Sequence, residues 1–183
     1  LTPGNDEQIA NIDVGVVSKL SLGNRVWLDA NNNGQQDEGE GGLEGFTVRL
    51  LDASNVELMQ TTTDVTGRYL FTNLDAGTYT VQVDAKDGYV SSTDIDSSAT
   101  PNQRDEDDNG MVGDNNQIRA TITLAASGGN PGDANHTEAD HGEPINGRID
   151  PSTNGKSYYT VDFGFYRLVS VGNLVWLDDN NAN

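Results

Sequence analysis

Short runs in which apolar and polar residues alternate, each closed by a turn signal, dominate the chain. From Leu43 to Asp52, the apolar Phe46, Val48 and Leu50 interleave with Thr47 and Arg49. That period of two sets an apolar face against a polar one, as in a half-buried strand. Val56 to Thr63 follows, and Asp64-Val-Thr-Gly67 turns the chain into Arg68-Tyr-Leu-Phe71. Leu74-Asp-Ala-Gly77 turns it again into Thr78 to Val83, where Tyr79, Val81 and Val83 share one face. Ile118 to Leu124 is a further strand, and no stretch carries a helical period. Short strands spaced by Gly and Asp predict an all-β chain folded as an antiparallel sandwich. Trp27, in the first of these strands, reads as a core anchor.

One pattern recurs at long range. Asp13 and Asp162 lie 149 positions apart, and nine of the nineteen residues from 11 to 29 are repeated at that offset in 160 to 178. Among them Ser21, Gly23, Asn24, Val26, Trp27, Leu28 and Asp29 return as Ser170, Gly172, Asn173, Val175, Trp176, Leu177 and Asp178. A fixed-offset match marks tandem modules. Residues 1–20 therefore read as the end of a preceding repeat, with its last strand at 12–17 and a linker. Residues 21–166 form a complete repeat, and 167–183 a linker and the first strand of the next. Linkers of three residues span about 10 Å at most, which predicts a stiff head-to-tail array. Neighbouring copies of the same repeat are the expected partners, with strand exchange as one way of covering the terminal strands.

Between the first two strands lies Asp29-Ala-Asn-Asn-Asn-Gly-Gln-Gln-Asp-Glu-Gly-Glu40. It satisfies the twelve-residue calcium-loop pattern D-x-[DN]-x-[DN]-G-x5-E at Asp29, Asn31, Asn33, Gly34 and Glu40. Calcium takes six to eight oxygen ligands, and alternate residues of a tight turn can aim their oxygens at one centre. In that scheme Gln35 offers its carbonyl, Asp37 holds the water-bridging position and Glu40 closes the site with both oxygens. The flanking runs are strand-like, so this is a calcium loop between strands.

A second acidic concentration follows, with Asp94 and Asp96 preceding Asp105, Asp107 and Asn109, which alternate before Gly110. Position twelve of that run is Asn116, so its closing carboxylate has to come from Asp94, Asp96 or Asp114. Residues 128–155 form a long polar stretch in which Asp133, Asn135, Glu138, Asp140, Glu143 and Asp150 are candidates for a third oxygen cage. One calcium ion is thus expected in the first loop, with two or three in all as the upper reading. His136 and His141 offer an alternative transition-metal pair, though solvated histidine is the ordinary state. Asn135-His-Thr137 is also a glycosylation sequon.

Composition sharpens this picture. The 183 residues carry a formal net charge of -19, which disfavours nucleic acid and anionic membranes as partners. No run approaches eighteen apolar residues, so no membrane insertion is expected. Cysteine is absent, so bound metal takes the place of a disulfide as the expected staple. There is no nucleophile elbow and no Gly-rich phosphate loop, and the carboxylates sit in Asn/Gly turns suited to hard cations. The chain is expected not to be an enzyme.

Three segments carry a family resemblance: Gly23-Asn-Arg-Val-Trp-Leu-Asp29 running on into Asn31, Asn33 and Gly34; Gly45-Phe-Thr-Val-Arg-Leu50; and Thr63-Asp64 with Gly67, Tyr69, Phe71, Leu74, Gly77, Tyr79 and Val81. Together they resemble the B-type repeats of serine–aspartate repeat surface adhesins, related to the B repeats of collagen adhesins. The resemblance is dense over residues 21–90 and returns at Tyr159 to Tyr166. It implies a prealbumin- or Ig-like Greek-key β-sandwich with long calcium-binding loops, serving as an extracellular spacer or stalk on a microbial surface, sheath or filament. The alternative is an adhesin module that binds a host or matrix ligand through residues 128–155. Some relatives join first and last strands by a Lys–Asn isopeptide bond. Here Arg25 and Asp162 stand on those strands, so no such bond is expected.

Overall fold

The computed structural model describes residues 19–94, 108–113, 117–125, 160–169 and 172. Among them every regular element is a strand: β1 (Leu20–Leu28), β2 (Thr47–Asp52), β3 (Glu57–Thr62), β4 (Arg68–Leu74), β5 (Gly77–Val83), β6 (Tyr89–Ser91), β7 (Met111–Val112), β8 (Ile118–Leu124) and β9 (Phe163–Arg167). They form a four-stranded sheet in the order β4-β1-β9-β6 and a five-stranded sheet in the order β3-β2-β5-β8-β7. The chain crosses between the sheets after β1, β3, β4, β5, β6 and β8, so most sequence neighbours end up in opposite layers.

Alternation decides which side chains meet between the layers. In β8 Ile118, Ala120, Ile122 and Leu124 are buried, while Thr121 and Thr123 are exposed. Val48 and Leu50 of β2, Val81 and Val83 of β5, and Leu20, Leu22 and Val26 of β1 join them, with Phe163 and Phe165 of β9, in one core. Each such side chain contributes about 1.5–3 kcal/mol on leaving water. β3 is the exception, an edge strand whose Leu58 and Met59 are exposed. The polar face of the larger sheet is stitched by Thr78–Thr123 and Thr80–Thr121 hydroxyl pairs and by Arg49, which reaches Asp84, Glu57 and Gln60.

Trp27 is fully buried, as the sequence predicts, although Val26 rather than Trp27 belongs to the intersheet core. Its ring lies against Gly164, where a Cβ would come within 2.9 Å of both Trp27 and Ser92. Only glycine fits there.

One pairing departs from the antiparallel expectation. β1 and β9 run parallel, with Val26, Trp27 and Leu28 opposite Phe163, Gly164 and Phe165. Parallel neighbours need a long crossover, and here the whole domain lies between them in the chain. The consequence is polar: β1 begins at one end of the sandwich, and β9 leaves at the other. Nine residues of extended chain separate those ends by about 30 Å.

Candidate metal centre

β1 carries Asp29 out of the sheet and straight into the acidic loop. The Asp29 N–H donates to the Phe165 carbonyl at 2.9 Å, and the side chain is fully buried. Its Oδ1 accepts from the Asn33 N–H at 3.2 Å, and its Oδ2 accepts from the Gly34 N–H at 2.8 Å and from the Ser92 hydroxyl. Gly34 has φ of 75°, a left-handed conformation that glycine adopts without strain. The bend expected at that position is present.

The rest of the loop closes on itself. Asn31 Oδ1 accepts from the Asn33 N–H at 3.0 Å, and Asn33 Oδ1 accepts from the Gln35 N–H at 2.9 Å. Both asparagine amides donate to Asp37 Oδ2, at 2.8 and 2.9 Å. Glu40 folds back across the loop, taking the Ala30 N–H at 2.7 Å on Oε1 and the Asp37 N–H at 3.1 Å on Oε2. The residues assigned from the sequence, Asp29, Asn31, Asn33, Gln35, Asp37 and Glu40, are thus gathered in one compact turn.

Two residues outside the loop pattern fasten this turn to the body of the domain. Asn32, held at φ of 55°, accepts on Oδ1 from the Thr93 N–H at 3.1 Å and from the Thr93 and Ser92 hydroxyls. Asp108 donates its N–H to the Gly34 carbonyl at 3.0 Å. The spacing template counts 32 as an intervening position and 108 as the gap between Asp107 and Asn109, so sequence reasoning passed over both. The available signal was the run of four acidic residues from Asp105, in which alternation alone cannot say which set faces inward.

Asp108 is 1% exposed. Its Oδ1 accepts from the N–H groups of Gly110 at 2.9 Å and Gly164 at 3.1 Å, whereas Oδ2 has no hydrogen-bond partner among the described residues. Burial pushes this carboxyl well above the ordinary range against the pull of those two donors, and the charges of Asp94 and Asp29 push it further up. Of the second acidic set, Asn109 is buried with its Oδ1 accepting the Asp162 N–H at 2.9 Å, and Asp94 lies within electrostatic reach of Asp108. Asp96, Asp105, Asp107 and Asp114 lie outside the described residues, as do 128–155 with His136, His141 and the Asn135 sequon.

These donors fit a hard cation in kind: carboxylate and amide oxygens on a tight turn, beside a buried carboxylate oxygen that lacks a donor among the described residues. Among the described residues, no three His, Cys, Asp or Glu side chains gather closely enough to hold an ion by themselves. A cation here therefore needs neutral oxygens too, which calcium's coordination number accommodates. Arg25 and Asp162 also meet, through the Arg25 backbone N–H on Asp162 Oδ1 at 3.0 Å, while the guanidinium donates to the Thr66 carbonyl. Among the described residues no helix is long and apolar enough to cross a membrane.

Fold and loop define a two-sheet β-sandwich module with an acidic interstrand turn, one unit of a tandem series by its internal repeat. The chain belongs to the SdrD B-like domain family, whose model matches residues 20–134. It is 34% identical over 162 residues to serine-aspartate repeat-containing protein F of Staphylococcus epidermidis, covering 87% of this chain and 8% of that protein. Protein I of Staphylococcus saprophyticus is 36% identical over 162 residues, covering 87% of this chain and 7% of the relative. Protein D of Staphylococcus aureus is 31% identical over 179 residues, covering 96% and 11%. The chain thus spans about a tenth or less of the length of these relatives. Among solved structures, the minor pilin GBS52 of Streptococcus agalactiae aligns with 87% of this chain and 48% of its own, at 11% identity and a TM-score of 0.41.

Proposed function

We propose that this chain is a calcium-stabilised spacer repeat, a Greek-key sandwich set head-to-tail with its neighbours in the stalk of a surface protein on a microbial cell. The observation that carries the reading is the parallel pairing of β1 and β9, which brings the chain in at one end of the sandwich and out at the other. A module threaded that way adds length with every copy, and the family membership supports a repeat of a surface protein.

The junction supports the same reading. At the 149-residue offset Val169 stands where Leu20 stands in this repeat. Leu20 is fully buried, whereas Val169 is 88% exposed, as suits the first core residue of the next copy. Only Leu168 separates it from the end of β9, and the Leu168 N–H donates to the Gly88 carbonyl at 3.1 Å. So short a joint holds adjacent modules close and limits swinging.

Calcium enters the proposal through Asp29, Asn31, Asn33, the Gln35 carbonyl, Asp37 and Glu40, with Asp94, Asp96, Asp105, Asp107, Asn109 and Asp114 as the second set. Its chemistry there is electrostatic, offsetting repulsion in a chain of net charge -19. An ion that binds only the folded state stabilises by mass action. Thermal unfolding with calcium and with chelator tests this. A midpoint several degrees higher with calcium is expected, and identical midpoints would overturn the calcium reading.

A further inference from the structure

Two asparagine–glycine pairs sit where the acidic segments are fastened, Asn33–Gly34 in the turn and Asn109–Gly110 just before β7. Neither glycine is exchangeable. Gly34 has φ of 75°, and at Gly110 an added Cβ would come within 2.6 Å of Ile118 and 2.9 Å of Phe163. Such a pair is open to deamidation, because glycine has no side chain to shield its nitrogen. That nitrogen, on losing its proton, attacks the asparagine Cγ. The new N–Cγ bond closes a succinimide ring, the Cγ–Nδ2 bond breaks, and the amide leaves as ammonia with the proton. Water then opens the ring to aspartate, or to isoaspartate, whose main chain runs through Cβ.

The same arrangement holds both pairs shut. The Gly34 N–H donates to Asp29 Oδ2 at 2.8 Å, and the Gly110 N–H donates to Asp108 Oδ1 at 2.9 Å. Each attacking nitrogen thus has its proton tied to a carboxyl oxygen. The asparagine side chains are tied as well. Asn33 Oδ1 accepts from the Gln35 N–H and its Nδ2 donates to Asp37 Oδ2, both at 2.9 Å, and Asn109 Oδ1 accepts from the Asp162 N–H at 2.9 Å. Cγ reaches the glycine nitrogen only when these bonds break together, which is a local opening. Gly34, Asn109 and Gly110 are buried, so packing opposes that opening, whereas the exposed Asn33 depends on its hydrogen bonds.

We infer that Asn33–Gly34 and Asn109–Gly110 are deamidation sites, kept closed by Asp29 with Asp37 and by Asp108 respectively, and converted one way when the acidic segments open. At position 33 the product cannot resume the old contact, because a carboxylate would face Asp37 Oδ2 where the amide now donates. An opening long enough for the ring to close is thereby recorded covalently. The inference stands on these hydrogen bonds and not on the calcium reading.

The test is peptide mapping by mass spectrometry, following conversion of each asparagine to its acid at mildly alkaline pH and fixed calcium. The folded chain should convert Asn33 and Asn109 slower by about tenfold or more than the chain unfolded in guanidinium chloride. Asp37→Ser, at an exposed position, should speed conversion at Asn33 several-fold and leave Asn109 at the parent rate. Asp108→Ala should do the reverse. Equal rates in the folded and unfolded chain overturn the inference. So does a folded variant whose own site keeps the parent rate, since protection then comes from the fold at large, and so does equal acceleration at both sites. Should Asp108→Ala fail to fold, as judged by its melting transition, the Asp37→Ser comparison decides alone.

Discussion

The backbone N–H of Asp108 donates to the carbonyl of Gly34 at 3.0 Å, joining the second acidic segment to the glycine at the bend of the first. Two stretches more than seventy residues apart in the chain thus share one site. Asn32 makes the matching connection to Ser92 and Thr93.

That clasp should be measurable. Asn32→Ala removes the acceptor for three donors and puts a Cβ-bearing residue without side-chain compensation at φ of 55°. A loss of about 1–3 kcal/mol is expected in urea unfolding at saturating calcium. Asn32→Gly loses the same hydrogen bonds without the backbone strain, and should fall between parent and Ala.

Glu40 closes the turn with both oxygens, on Ala30 and Asp37. Glu40→Gln keeps one acceptor and removes the charge. Calcium affinity should drop on the order of tenfold or more, read by titration calorimetry. Unchanged affinity would mean that the turn holds no ion that Glu40 closes.

Gly164 lies between Trp27 and Ser92, and an added Cβ would meet each at 2.9 Å. Gly164→Ala should therefore cost about 1–3 kcal/mol through overpacking. Gly41→Ala, where nothing lies within 4 Å of the added carbon, should stay within about 0.5 kcal/mol of the parent. Equal effects at the two positions would contradict the packing described for Trp27.

The Arg49–Asp84 pair sets a pH dependence. Hydrogen bonding from Arg49 is the main cause that holds the Asp84 carboxyl below its ordinary value, with burial opposing. A carboxylate depressed in the fold stabilises above its unfolded pKa, near pH 3.9, and that stability is lost as pH falls through the lower folded value. Asp84→Asn should thus cost up to about 1 kcal/mol at neutral pH, the pair being 29% and 40% exposed. The gap between parent and variant should close below pH 4. A gap that persists at low pH would mean the loss comes from packing.

How much of this could be read from the chain depends on the interaction concerned. Phe46, Val48 and Leu50, and Ile118 to Leu124, show their faces because strand alternation is a local property. The turn at Gly34 is equally local. The parallel pairing of β1 with β9 is not, because it joins Val26 to Phe163 through contacts no spacing encodes. Asp108 was hidden for a related reason. A template that selects alternate residues assigns Asp107 and Asn109, yet Asn109 Oδ1 accepts from Asp162, and Asp108 is anchored to Gly34. Asp108 is held by Gly164 of β9 and by Gly34, contacts that no local spacing encodes.

The central claim is a stalk built from calcium-stiffened modules, and small-angle scattering on a chain carrying two consecutive copies tests it most directly. With calcium, the account predicts a rod-like profile whose maximum dimension exceeds that of one copy by about 30 Å or more. It also predicts that chelator loosens that profile. Two beads moving freely about the Leu168 joint, with or without calcium, would contradict it.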